Sequence, residues 1–412
     1  MKLLNIGFDF GTFQTKVSIR DIETEVTYAF VFNNNLNSVN RYTIPTNVKI
    51  NNFGRMHFGI SENSAYGAIE FFKLFKIGME NLMRKILIQE TEYIVTGKLL
   101  VAAYTAYVIR IIKNQVEKDF ENGVTFIYQF GLPIDHIGNN DSIRESSFRE
   151  SFNIGVLLAE DSNINISQGV SLKEMIENYE KKIQIYSNME INQLKAEIYP
   201  ETIAGVAALL NNNELQLDYR YSIIDIGAGS TDVSFFDYTN GGVIDGDTAI
   251  SNKGKFFIYD SKTYDIGNQN YKQDILEQSI QELNESYKKQ FGRSYHKDKD
   301  KWKEGFCLLQ IGGGINGKLA EFINRIEIHV RWDQPTPHYI TIDKLAFPFP
   351  DNYFEYRVGN VGYLKENFNF LAVSYGLSFP SISMPQYKPN VGDKIKVELK
   401  RTPDEPLTPD VG

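Results

Sequence analysis

The chain has 412 residues, 42% hydrophobic and 23% charged, more than one compact core usually holds, so two domains of a soluble globular protein are expected. A net charge of −9 without a long basic run argues against non-specific nucleic-acid binding, which needs clustered Lys and Arg to displace counterions. Cys307 is the only cysteine, which excludes an intrachain disulfide and fits a reducing, cytoplasmic setting.

The opening MKLLNIGFDFG is interrupted by Asn5 and Asp9 and does not read as a secretory signal. Leu3, Leu4 and Ile6 enter a strand, Gly7, Asp9 and Gly11 bracket a turn, and Val17 and Ile19 leave on a second strand. Short β-like runs punctuated by Asn and Gly follow over residues 28–59. Between roughly 64 and 118 the apolar spacing becomes helical. Its most apolar part, 99–112, is broken by Arg110 and is too short to span a bilayer, so no membrane association is expected. Residues 126–130 read as a strand, followed by the turn Gly131-Leu132-Pro133 and a polar, helix-like segment. Residues 154–198 alternate short apolar runs with charged spacers and fit no single template.

Residues 201–210 read as a helix of small residues that must pack closely against something, and 211–218 as a polar loop. Residues 221–236 repeat the opening strand, turn and strand. A long charged helix is expected over 270–292, a strand over 306–311 running into Gly312-Gly313-Gly314, a helix over about 316–322, and a last helix near Phe370. After Pro380 the chain is rich in Pro, Lys and Asp, and 389–412 reads as a flexible tail. Two copies of one hairpin in a βαβ-rich order predict an α/β fold with two similar lobes.

Three segments carry the chemistry: IGFDFGTFQTKVSI (6–19), SIIDIGAGSTDVSFF (222–236) and LLQIGGGINGKL (308–319). The first two each place an Asp at the end of an apolar strand, a Gly two residues on, and hydroxyl residues in the turn. Gly permits backbone conformations that aim successive N–H groups at one point, making an anion nest. Thr12 and Ser230 or Thr231 add hydroxyl donors for phosphate. Asp9 and Asp225 would repel phosphate by themselves, which implies a bridging Mg²⁺ reached partly through water. A strand ending in three Gly residues lets the backbone approach a flat ring or ribose. The five histidines are scattered without metal-ligand spacing. Cys307 reads as a small buried hydrophobe, the charged run 282–303 as a solvated helix face, and the aromatic stretch 347–370 as core with an exposed subset suited to a subunit contact.

In this order the three segments resemble the phosphate-1, phosphate-2 and adenosine motifs of the superfamily that joins actins, DnaK-type heat-shock chaperones and sugar kinases. The resemblance covers most of residues 1–380. It implies a two-lobed actin-like ATPase fold, with duplicated ribonuclease-H-like domains around a nucleotide cleft. Lobe I would be 1–205 with a small insert at about 27–95, completed by a closing helix at about 370–380. Lobe II would be 206–369 with an insert at about 250–305, and 381–412 would be a tail. The cofactors implied are ATP and Mg²⁺, the metal held by Asp9 and Asp225. Asp9, Gly11, Thr12 and Lys16 would serve the first phosphate loop. Asp225, Gly227, Gly229, Ser230, Thr231 and Asp232 would serve the second, and Gly312, Gly313 and Gly314 would lie along the nucleoside.

The branches of the superfamily pull apart. Lys16 resembles the phosphate-contacting Lys of actins and of plasmid-segregating ParM-type proteins. YPETIAGVAALL (199–210) and Gly131-Leu132-Pro133 also resemble the ParM group, and by that likeness Glu201 positions the attacking water. Toward the chaperones point YTIPTNV (42–48), FFKLFKIG (71–78) with Lys73 or Lys76 as a catalytic Lys, and LAVSYGLS (371–378). The chaperones' adenine-holding helix would also bring Lys288, with Lys289, to the nucleotide. The chain after Leu377 is too short for a peptide-binding domain. No pattern answers to the sugar site of a sugar kinase. Two functions are therefore expected to compete: a ParM-type ATPase that self-associates into filaments and moves a plasmid or other cargo through an adaptor protein, and a chaperone-like ATPase switch.

Overall fold

The computed structural model describes residues 2–32, 40–60, 68–74, 78–120, 123–133, 143–167, 169–210, 219–239, 255–268, 276–297, 299–314, 317–330, 338–345, 350–357, 360–363, 368–381 and 384. The protein is a mixed α/β molecule with two principal sheets.

Residues 4–10 are buried without alternation, as expected of a central strand covered on both faces. That strand, Lys2–Phe10, turns back antiparallel onto Gln14–Asp21, which pairs antiparallel with Thr27–Phe30. On its other side lie Val124–Leu132 and then Ala196–Pro200, both parallel to it. Tyr353–Arg357 and Asn360–Tyr363 extend the far edge.

The second sheet is built the same way. Tyr219–Ile226 turns back onto Thr231–Thr239, which pairs antiparallel with Lys255–Tyr264. Phe306–Ile311 and Ile342–Leu345 follow in parallel on the other side. Strand for strand, order and direction match the first five strands of the first sheet. Thr27–Phe30 and Lys255–Tyr264 are thus integral third strands, although both fall inside segments expected as inserts.

Helices cover these sheets with their apolar faces. Gly97–Val116, N-capped by Thr96 onto the Leu99 amide, and Ile143–Glu160 pack on the first sheet. There Phe10 meets Tyr104, Phe148 and Phe152 edge-on. Leu276–Lys297 covers the second sheet with Tyr287 and Phe291 against Phe235. Glu201–Leu210 and Phe368–Leu377 cross between the two sheets. They share one core with Ala29 and Tyr353 of the first sheet and Tyr221, Ile223, Leu309 and Ile311 of the second. At the crossing, a Cβ on Gly376 would lie 1.7 Å from the Ala204 carbonyl oxygen. That contact is the close packing the small residues of 201–210 predict.

Among the described residues the helical reading of 64–118 holds, as α-helix, only for Gly97–Val116. Ahead of it run the strands Ala68–Lys73, Met83–Ile88 and Thr91–Thr96. Ile86 and Ile88 point inward while Lys85 and Leu87 are exposed, a period of two rather than 3.6. The hairpin turn puts Gln89 and Glu90 at φ 47° and 67°, the primed geometry that Asn-Gly usually signals; here no such signal exists to be read. The unplaced segment 154–198 holds the end of one helix, a second helix at Leu172–Tyr186 capped by Ser171, and Ala196–Pro200. The helix expected at 316–322 is only a 3-10 turn, Lys318–Ala320, and one helical turn, Glu321–Asn324. The loop 211–218 and the tail 389–412 lie outside the described residues. Among the described residues no helix is long and apolar enough to cross a membrane.

Candidate functional site

The two hairpins bring their turns together. In the first, Asp9 and Lys16 are directly paired across the strands, and Lys16 Nζ donates to Asp9 Oδ2 at 2.6 Å. Both are buried, at 8% and 5% exposure, so the pair is held away from the solvent that weakens surface ion pairs. The Gly11 amide closes the turn onto the Asp9 carbonyl at 2.9 Å. In the second hairpin Asp225 pairs with Asp232, and the Gly227 amide donates to the Ser230 carbonyl at 2.8 Å. The tips face each other: a Cβ on Gly229 would sit 3.0 Å from Thr12 Cγ2.

The first hairpin is braced from behind. The Tyr104 hydroxyl donates to Thr15 Oγ1 at 3.0 Å, Thr15 and Thr46 share a hydroxyl contact, and the Thr46 amide donates to the Phe13 carbonyl. Burial pushes the Tyr104 phenol well above its usual range, which keeps it a neutral donor.

Between the hairpins lies a cavity of about 170 Å³. The first hairpin lends it Asp9, Gly11, Thr12 and Lys16; the second lends Asp225, Gly227, Ser230 and Asp232. Glu201 enters from the connecting helix. It follows directly on Pro200, whose register partner is Leu132, so its side chain lies over Gly131: a Cβ there would be 2.9 Å from Glu201 Cγ. The Gly131-Leu132-Pro133 segment is therefore the strand end on which Glu201 rests. Glu201 is buried in the first turn of its helix, where the macrodipole favours a negative charge.

The glycine segment packs onto the second hairpin because Phe306–Ile311 runs parallel to Tyr219–Ile226, with Ile311 opposite Asp225. Gly312 then turns with φ +93°, and a Cβ on it would overlap Asp225 Oδ1 at 2.1 Å. The Gly314 amide donates to the Ile226 carbonyl at 2.7 Å. Gly313 and Gly314 line the cavity.

Two residues here escaped the sequence reading. Asn268 staples the second turn to the glycine loop: its amide donates to the Gly227 carbonyl at 3.1 Å and its side chain to the Gly314 carbonyl at 2.7 Å. A Gly-Asn pair was its sole signal. Phe370, at the start of the last helix, lies against Gly313, and Lys16 Nζ sits 4.7 Å from its ring centroid, within cation–π range. Nothing local marks it; the Gly312 amide, donating to the Asn369 carbonyl, fastens the glycine loop beside it.

Three expected residues have other places or other partners than the sequence reading gave them. Thr231 is fully buried and donates to the Ile266 carbonyl, so Ser230 is the hydroxyl at the cavity. Asp232 lines the cavity but also accepts from Thr263 at 2.5 Å, which fixes its carboxylate. Lys288 does not line this cavity; it belongs to a second one on the long helix Leu276–Lys297. Lys73 brings its Nζ 5.3 Å from the ring centroid of Phe13 in the first turn, and Lys76 lies outside the described residues.

Four carboxylates, Asp9, Asp225, Asp232 and Glu201, face one lysine across the cavity. A polyphosphate would be repelled from such a surface unless a cation came with it. Among the described residues no three His, Cys, Asp or Glu side chains converge into a direct metal cage. Were Mg²⁺ to accompany a polyphosphate here, Asp9 and Asp225 are the carboxylates that could hold it through water. No protein-family model matches the chain, and no curated protein matches it.

Proposed function

We propose that this chain is a two-lobed actin-like ATPase that binds Mg-ATP between its two hairpins and hydrolyses it slowly. The observation that carries the reading is the meeting of two sequence-matched Asp–Gly turns, from two sheets that share one five-strand order, around one cavity with Glu201 beside it. Chance pairing of two ordinary hairpins has no reason to repeat the whole five-strand order.

In this reading the turn amides, Thr12 and Ser230 grip phosphate oxygens, and Lys16 exchanges part of its contact with Asp9 for them. Mg²⁺, held through water by Asp9 and Asp225, would neutralise charge on the terminal phosphates. Glu201 orients a water for in-line attack. Gly313 and Gly314 let the backbone approach the nucleoside. A cavity of about 170 Å³ falls below the usual volume of small-molecule sites, so Phe370 has to swing off Gly313 when the nucleoside enters. Since the last helix also crosses the connecting helix at Gly376, that movement is passed to the layer between the sheets.

The expected output is a conformational state read by neighbours. Lys16 and Glu201, both at the cavity, favour the ParM-type form of this output: nucleotide-dependent filaments, an open head-to-tail assembly, coupled to a plasmid or other cargo by an adaptor. Lys73 beside the first turn favours a second reading, a chaperone-like switch.

Calorimetric titration with ATP, with and without Mg²⁺, tests the site. Binding that requires Mg²⁺ and disappears in Asp225→Asn is expected; Mg-independent binding, or none, overturns the assignment. Pelleting and negative-stain microscopy with Mg-ATP then separate the outputs, since filaments support the first and a persistently soluble, ATP-binding protein supports the second.

A further inference from the structure

The second cavity, about 520 Å³, is about three times the volume of the one between the hairpins. It sits on the C-terminal half of the helix Leu276–Lys297 and the turn that follows, away from the glycine loop. Its wall repeats at helical spacing: Lys288, then Phe291 and Gly292, then Tyr295, then Lys299 and Lys303. Phe291, Tyr295 and Ile328 are nearly buried beneath it, so the floor is apolar and aromatic while the rim carries amines.

Two carboxylates, Asp300 and Glu327, share the rim. Asp300 pairs with Lys303 at 2.9 Å, and Glu327 lies 3.7 Å from His329. Among the described lining residues three lysines, Lys288, Lys299 and Lys303, outnumber these two carboxylates, and Lys288 and Lys299 carry the positive side of the rim. Gly292 is the second observation. A glycine inside a helix costs stability relative to alanine, and such a residue usually has a packing reason. None exists here: its φ is not positive, and among the described residues no atom lies within 4 Å of where its Cβ would project. The absent side chain leaves open space in the cavity instead.

We propose that this cavity is a second binding site, for a small organic anion with a flat aromatic body. The ring would lie on Phe291 and Tyr295 in the space left by Gly292, and its acidic group would meet Lys288 and Lys299. The volume lies within the range of small-molecule sites, and an aromatic floor under an amine rim matches a ring bearing a phosphate, sulfonate or carboxylate. The site is independent of the nucleotide reading.

The test uses the full chain and 8-anilinonaphthalene-1-sulfonate as the probe, followed by fluorescence and equilibrium dialysis. Saturable binding of one probe per chain is expected, unchanged by excess Mg-ATP and by Asp225→Asn. Gly292→Leu, which fills the cavity, should abolish it. The exposed double variant Lys288→Glu/Lys299→Glu should weaken it by about fivefold or more, the scale of losing two charge contacts. Circular dichroism checks both folds; if the leucine variant does not fold, the charge variant decides by itself. No binding, competition by Mg-ATP, or wild-type affinity in the charge variant overturns the proposal.

Discussion

Gly312→Ala probes the link between the glycine segment and Asp225 most directly. Its φ of +93° is one that a side chain rarely adopts, and forcing an L-residue into the left-handed region costs about 1–2 kcal/mol. The new methyl would also stand 2.1 Å from Asp225 Oδ1 and 2.6 Å from the Ile226 carbonyl oxygen. The second contact is backbone and does not yield, and overpacking of this kind costs about 1–3 kcal/mol more. The sum is roughly 2–5 kcal/mol of folding stability, with Asp225 pushed out of place. Gly313→Ala is the matched control. Its methyl would meet only the edge of the Phe370 ring, at 3.0 Å, so the loss should stay below about 1 kcal/mol. Urea unfolding followed by circular dichroism measures both, and phosphate release from Mg-ATP measures turnover. Equal stability of the two variants would refute the steric argument. A destabilised Gly312→Ala protein with full turnover would refute the role given to Asp225.

Glu201→Gln should bind Mg-ATP with near wild-type affinity yet release phosphate about 10²–10⁴ times more slowly, the usual range for losing a positioned acid–base group; loss of binding in a folded protein would assign Glu201 another role. Lys16→Met leaves the buried Asp9 carboxylate without its ammonium partner and should cost about 3–5 kcal/mol by urea titration. The double variant Asp9→Asn/Lys16→Met should recover much of that loss, and strict additivity of the two single effects would count against a coupled pair. Burial, with a smaller contribution from the Asp343 charge, pushes the Cys307 thiol up to about 11. At pH 8 only about a thousandth is then thiolate, so native protein should react with iodoacetamide at least about a hundredfold more slowly than urea-unfolded protein. The folded-state value is the raised one, so stability is expected to fall as pH climbs above the ordinary thiol range toward 11.

Much of the site was legible from local pattern. Asp9, Gly11 and Thr12, and likewise Asp225, Gly227 and Ser230, sit where apolar strands break into glycine turns, and such turns are dictated by a few adjacent residues. The helix Glu201–Leu210 was readable for the same reason, its apolar spacing and small side chains being properties of ten consecutive positions. The strands Met83–Ile88 and Thr91–Thr96 were not. Their alternation is short, and their turn residues Gln89 and Glu90 take a left-handed conformation that neither announces.

What the sequence by itself determined is the chemistry available: two matched acidic glycine turns, a triple-glycine strand end, and an α/β chain with one cysteine. Only the tertiary structure decided which of these groups meet. Parallel pairing of strands more than eighty residues apart sets Gly312 on Asp225. The crossing of the mid-chain helix Glu201–Leu210 with Phe368–Leu377 carries Phe370 to Lys16, while the packing of Leu276–Lys297 leaves Lys288 at a different cavity. Such contacts depend on packing complementarity summed over the whole core, and no window of neighbouring residues contains that information.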